Sequence, residues 1–235
     1  MSFFKKIVPA KFRRKADPRK ETEYAQLSDM AYLGEDCFDC PRFRKALRKR
    51  GLSQDYRVLP EHSTEDHVAF FNDKTNNAVL AFRGTNPRNV GDLRADLAIA
   101  TGLQSFAPRF ADAGRVTRDL VKKYGKDNVH VTGHSLGGSQ ALHAAGRHGV
   151  EAHAYNPGAG LPKWMFGGVG VLAFLSEKLG SKAKPHKTHV YTTGVDPISR
   201  MSVHHPNASV HFRKPTQLDV HGLSNFLPSS KEKKA

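Results

Sequence analysis

Residues 133–137 read Gly-His-Ser-Leu-Gly, a serine boxed between two glycines. The β-branched run VHVT, 129–132, precedes it, and SQALHAAGRHG follows with a helix pattern that stops at Gly149. A strand, a sharp turn and a helix in that order distinguish a G-x-S-x-G nucleophile elbow from a chance match. Side chains two residues either side of the serine would collide with the strand or the helix, and glycine removes the collision. The turn lifts the Ser135 hydroxyl above the sheet edge at a helix N-terminus. The backbone N–H of Leu136 then points at any oxygen that gains negative charge. A plainer reading is a serine that only caps its helix. Gly138, placed for close packing, favours the elbow.

A serine hydroxyl near neutral pH needs a base within hydrogen-bond reach, and the base needs an orienting carboxylate. With this elbow the chain order is serine, then acid, then histidine. The acids after Ser135 are Glu151, Glu177, Asp196, Asp219 and Glu232 in the tail. Asp196 follows the strand THVYTT directly and Pro197 fixes the backbone beside it, which suits a loop at the end of an α/β strand. Glu151 starts a strand and Glu177 sits in an apolar insertion, so both fit poorly. Asp219 is the runner-up, two residues before the favoured histidine. The histidines after Asp196 are His204, His205, His211 and His221. His211 lies inside a strand pattern. His204 and His205 lie in a turn and stay open as alternatives. His221 follows the last strand and opens a short terminal helix, so its ring can swing over the sheet edge. A second donor to an oxyanion is expected after an earlier strand, where Thr85 in AFRGT offers a backbone N–H and a hydroxyl.

These residues need a scaffold. The segment 22–33 has helical spacing, and a short basic helix follows it to Gly51. YRVLP, 56–60, reads as a strand. HVAFFND and NAVLAFRG, 67–73 and 77–84, are apolar runs joined by the polar turn DKTNN, which makes a hairpin. A turn and a short helix are expected over 85–102, and a longer helix over 107–125 with Gly125 as its stop. Strands are expected at 129–132, 151–156, 188–193 and 208–213. Strands alternating with helices predict a mostly parallel central sheet with helices on both faces. Residues 1–20 read as a basic N-terminal leader, 21–228 as a single α/β domain and 229–235 as a basic tail.

The chain has 235 residues and a formal net charge of +15 at pH 7. Residues 1–20 carry eight Lys or Arg against one Asp, and RFRKALRKR, 42–50, carries six basic residues in nine. That charge attracts polyanions, an anionic membrane surface among them, although a plain solvated surface is also consistent with it. No motif that reads nucleic acid accompanies the charge. The two cysteines, Cys37 and Cys40, lack the second pair of a zinc site and are too few for a disulfide framework. No P-loop, dinucleotide fingerprint or paired metal-ligand spacing occurs. No apolar stretch is long enough to span a membrane and no signal peptide is recognisable, so a cytoplasmic or membrane-peripheral place is expected. Nothing in the sequence specifies an oligomeric state.

AFRGT, VTGHSLGG, the Asp-Pro after a late strand and a histidine near the C-terminus together resemble the class 3 lipase family of α/β hydrolases. YAQLSDMAYL is similar to that family's leading helix, and the resemblance spans 22–227. It implies an α/β-hydrolase fold with Ser135 as nucleophile, His221 as base, Asp196 as orienter, and Thr85 with Leu136 as the oxyanion hole. It also implies hydrolysis of acylglycerol or phospholipid esters through an acyl-enzyme, with no cofactor; no metal site is expected either. The family's lid corresponds to 86–100, which here lacks aromatic residues and carries mixed charges. A second cover is 161–175, an apolar insertion holding the only tryptophan, which also reads as an ordinary buried helix. Two other functions stay open. One is an esterase, thioesterase or acyltransferase on a small soluble acyl substrate. The other is a hydrolase-fold protein that binds polyanions through its basic surface.

Overall fold

The hairpin forms as its sequence requires. β2 (His67–Asn72) and β3 (Asn77–Phe82) pair antiparallel, and the Asn72 side chain accepts the backbone N–H groups of Lys74 and Thr75 at 3.0 and 3.1 Å. Asn76 takes φ 58° to complete the turn, a conformation asparagine tolerates better than most residues. The structure is a computed structural model that describes residues 17–33, 41–84, 107–157, 187–196, 208–216 and 218–228. Cys37, Cys40, Thr85, Glu177, Pro197, His204, His205, segments 86–100 and 161–175, and both termini lie outside these residues.

A third antiparallel strand, β1 (Tyr56–Val58), flanks β2. It ends two residues earlier than expected because Pro60 has no N–H to offer and opens a 3-10 turn. From β3 onward every pairing is parallel: β4 (Val129–His134), β5 (Glu151–Tyr155), β6 (Thr188–Thr192) and β7 (Ser209–Phe212). The seven strands lie side by side in chain order. β4 runs two residues beyond its expected end, since Gly133 and His134 keep register with Phe82 and Tyr155. The α-helices among the described residues are α1 (Pro18–Met30), α2 (Pro41–Arg50), α3 (Ala107–Tyr124) and α4 (Leu136–His148). α1 starts inside the stretch expected to be leader, because Asp17 accepts the Arg19 N–H at 3.0 Å and Pro18 is preset for a first turn.

Strand side chains alternate between two apolar layers. Val68, Phe70, Val79, Ala81 and Tyr155 face α1 and α2, where Leu27, Met30, Phe43 and Leu47 cover them. Ala69, Leu80, Phe82, Val131 and Ala152 face α3 and α4, against Val116, Leu120, Ala141 and Ala145. Helices thus cover both faces, as the alternating pattern predicts.

On the α1 face, the layer turns polar where the parallel strands begin. His130, Glu151, His153 and His189 meet there, and the Tyr24 ring stacks on His153 at 3.9 Å. Burial pushes His153 down to about 4, and the hydrogen bond from His153 holds Glu151 near about 2. An unfolded imidazole takes its proton near 6.5. Between that value and about 4 the unfolded chain therefore binds a proton that folded His153 refuses, while Glu151 stays ionised. Stability is expected to fall as pH drops through this window. Urea midpoints measured across it check the expectation, and a flat profile would contradict a neutral buried His153.

Candidate active site

β4 ends at His134 and α4 begins at Leu136, which leaves one residue to make the turn. Ser135 makes it at φ 55°, ψ −124°. That backbone is unusual for a residue with a side chain, and conformations of this kind gather where a fold presents a functional group. The glycines beside it are forced by contact. A Cβ at Gly133 would run into the Gly137 carbonyl, and one at Gly137 into the Phe82 carbonyl on β3. Leu136 is the first residue of α4, so its N–H belongs to the helix end that favours negative charge.

Two loops bring polar groups to the serine. Asp196 is carried by the loop after β6 and is fully buried. His221 lies in the turn before a 3-10 segment, Leu223–Phe226, and is also buried. The His221 Nε2 is 2.8 Å from the Ser135 hydroxyl, and its Nδ1 is 2.8 Å from an Asp196 oxygen. An ionised carboxylate only accepts, so the ring N–H at Nδ1 donates to Asp196 and Nε2 accepts from the serine. A chain of this kind can draw the serine proton onto the ring while the carboxylate steadies the charge that results.

Asp219 does a different job. Its Oδ1 accepts the backbone N–H groups of His221 and Gly222 at 3.2 and 3.1 Å. The runner-up acid therefore shapes the turn that carries the ring and makes no hydrogen bond to the imidazole. His211 sits in β7 and stacks on Tyr191, and Glu151 begins β5, both as their sequence patterns suggest.

Sequence reading missed the groups that hold the turn. The His221 carbonyl accepts from the ring Nε2 of His134 at 2.8 Å and from the Asn156 amide at 2.9 Å. The Val220 carbonyl accepts from the same amide at 3.2 Å and from the Thr193 hydroxyl at 2.9 Å. Asn156 sits just past β5 with φ 37°, and its side-chain oxygen takes the Thr193 N–H at 3.1 Å. With Nε2 donating, the other His134 nitrogen accepts from Tyr32 at 3.3 Å, and the Tyr32 oxygen takes the Gly84 N–H at 3.0 Å. Burial, and then the neighbouring His221, push His134 down to about 3, which keeps this ring neutral. The available signal was a polar residue directly after a strand and directly before Pro157, a place where apolar packing does not explain an asparagine.

The family model of the Tle-like phospholipase domain matches residues 23–197. No curated protein matches the chain. Among solved structures, a deletion mutant of the Rhizomucor miehei lipase propeptide complex is similar over 97% of this chain and 79% of its own, at 17% identity and a TM-score of 0.53. The native form of that complex is similar over 94% and 81%, at 17% identity and a TM-score of 0.50. At such identities the likeness concerns the fold, which is that of an α/β hydrolase.

Asn156→Ala removes one donor from each of the Val220 and His221 carbonyls and the acceptor of the Thr193 N–H. It is expected to destabilise the protein by about 1–3 kcal/mol, read from urea denaturation.

Proposed function

The chain belongs to the family of Tle-like phospholipase domains, and from that premise we propose that it is a serine hydrolase of lipid carboxylic esters. The observation that carries this reading is the placement of one imidazole 2.8 Å from both the Ser135 hydroxyl and the Asp196 carboxylate. Ser135 Oγ attacks the acyl carbonyl carbon as its proton passes to His221 Nε2. The charge on the former carbonyl oxygen is met by the Leu136 N–H, with Thr85 as the second donor. The tetrahedral species collapses, His221 returns the proton to the departing alcohol, and the acyl group stays on Ser135. Water then attacks the acyl-enzyme, gives its proton to His221, and the acid leaves as Ser135 Oγ is reprotonated. No cofactor takes part in this cycle.

The substrate class we favour is phospholipid presented on an anionic surface. Arg42, Arg44, Lys45, Arg48 and Lys49 of α2 are exposed, while Phe43 and Leu47 hold that helix to the core. Such a face is drawn to negatively charged headgroups and released by salt. Among the described residues no helix is long and apolar enough to cross a membrane.

Ser135→Ala and His221→Ala are each expected to abolish release of fatty acid from mixed anionic and neutral liposomes, with products read by mass spectrometry and folding checked by circular dichroism. Asp196→Asn is expected to lower the rate about 10⁴-fold, the size of effect typical when an orienting carboxylate is neutralised. Asp219→Asn should stay within a few-fold of the parent, since the amide keeps an acceptor oxygen. Full activity in Ser135→Ala would end the nucleophile assignment. Cleavage confined to short soluble esters would move the substrate class to small acyl compounds.

A further inference from the structure

We infer that His130, Glu151, His153 and His189 form a divalent-cation site of the zinc type, at the end of the sheet opposite Ser135. The residues come from three adjacent parallel strands. His130 faces Glu151 across β4 and β5, and His153 faces His189 across β5 and β6. Glu151 and His153 are two residues apart on one strand and so share a face. Ser135 lies five residues along β4 from His130, roughly 16 Å at the rise of a strand. The cluster therefore belongs to a separate place.

The donor atoms converge. Glu151 Oε1 is 3.0 Å from His153 Nε2 and 3.8 Å from His189 Nε2, and the ligating atoms of these residues lie within 4.8 Å of one another. His130 Nδ1 is 3.9 Å from Glu151 Oε2. Four atoms around a tetrahedral zinc stand about 3.3 Å apart, given metal–ligand bonds of about 2.0–2.2 Å. Glu151, His153 and His189 would have to close in on the ion to reach that spacing, and His130 would join them by turning Nδ1 further toward Glu151.

An independent observation points the same way. His130 is 7% exposed, and its Nδ1 is buried with no hydrogen-bond partner among the described residues. A buried polar atom left without a partner is costly, and a cation at the cluster would satisfy it. The other rings are already oriented from behind. His153 Nδ1 is 3.1 Å from the Tyr191 hydroxyl, and His189 Nδ1 is 3.2 Å from His211 Nε2. Metal-bound histidines are fixed through their second nitrogen in this way. Three imidazoles and one carboxylate suit zinc or cobalt, and not calcium or magnesium, which prefer oxygen.

The balance of protons and charge is simple. As the ion binds, the proton on His153 Nε2 moves to Nδ1, and Tyr191 turns from donor to acceptor. Lys20, now 3.5 Å from Glu151 Oε1 with its side chain 47% exposed, swings out to water. The ion then ties β4, β5 and β6 together, and its role is structural.

The test uses the untagged full-length chain, stripped with a chelator and dialysed against Zn²⁺ or Co²⁺. One ion per chain is expected, with the visible absorption of four-coordinate cobalt and a raised melting temperature. Glu151→Gln and His189→Asn should each abolish the cobalt band and weaken binding by more than the roughly 10- to 100-fold lost with an outer partner. Tyr191→Phe should fall in that 10- to 100-fold range, and Ser135→Ala should bind as the parent does. If either ligand variant fails to fold, His130→Asn carries the same test, because that ring nitrogen has no hydrogen bond to lose. Less than one ion per chain at saturating Zn²⁺, or unchanged binding in the ligand variants, overturns the proposal.

Discussion

Two successive main-chain carbonyls, those of Val220 and His221, hold the candidate site together. They receive hydrogen bonds from the loops after β5 and β6 and from His134, the residue before the serine. The ring of His221 meets a hydroxyl 86 positions earlier in the chain. Closing so long a loop is entropically unfavourable, and a short turn at its end would otherwise wander. Fixing the carbonyls settles where the Cα of His221 stands. The ring then has one direction in which both its nitrogens find partners. The geometry at Ser135 thus rests on groups that never touch it.

The parallel sheet supplies the frame for this arrangement. Loops at the C-terminal edge of open α/β sheets converge, and the elbow, Asp196 and Asn156 all follow the ends of neighbouring strands. Because the strands lie in chain order, consecutive loops are spatial neighbours and reach one another with few residues. At the opposite edge, side chains two apart on one strand meet the same set on the next. There the register gathers imidazoles and a carboxylate beneath α1.

Much of this was legible in the chain itself. The elbow could be read because a serine framed by glycines between a strand pattern and a helix pattern is a local signature, even though one of those glycines, Gly137, answers to the Phe82 carbonyl on β3. Asp196 and His221 could be chosen because order along the chain and position after a strand narrowed the field. The assignment between Asp196 and Asp219 could not be made from local pattern with equal force. Both sit close to the right place, and only the packed loops reveal that one meets the ring while the other meets the backbone. The roles of Asn156, Thr193 and Tyr32 could not be read for a related reason. They act on main-chain atoms far away in sequence, and a carbonyl has no residue type to read. The histidines of β4, β5 and β6 escaped notice because ligand motifs are recognised by spacing along one segment, whereas strand pairing assembles them from three. The start of α1 was placed too late because basic residues masked an ordinary Asp-Pro opening.

The backbone at Ser135 has a broader implication. Its φ of 55° is a region where glycine is at ease and a side chain is not. A library of variants selected for robustness alone would therefore drift toward glycine at this position and discard the hydroxyl. That the turn keeps a serine means the tension is carried by the rest of the fold, chiefly the two strands and the helix clamped around it. Heat tolerance gained elsewhere in this scaffold leaves that tension in place, and heat tolerance gained here removes the hydroxyl that meets His221.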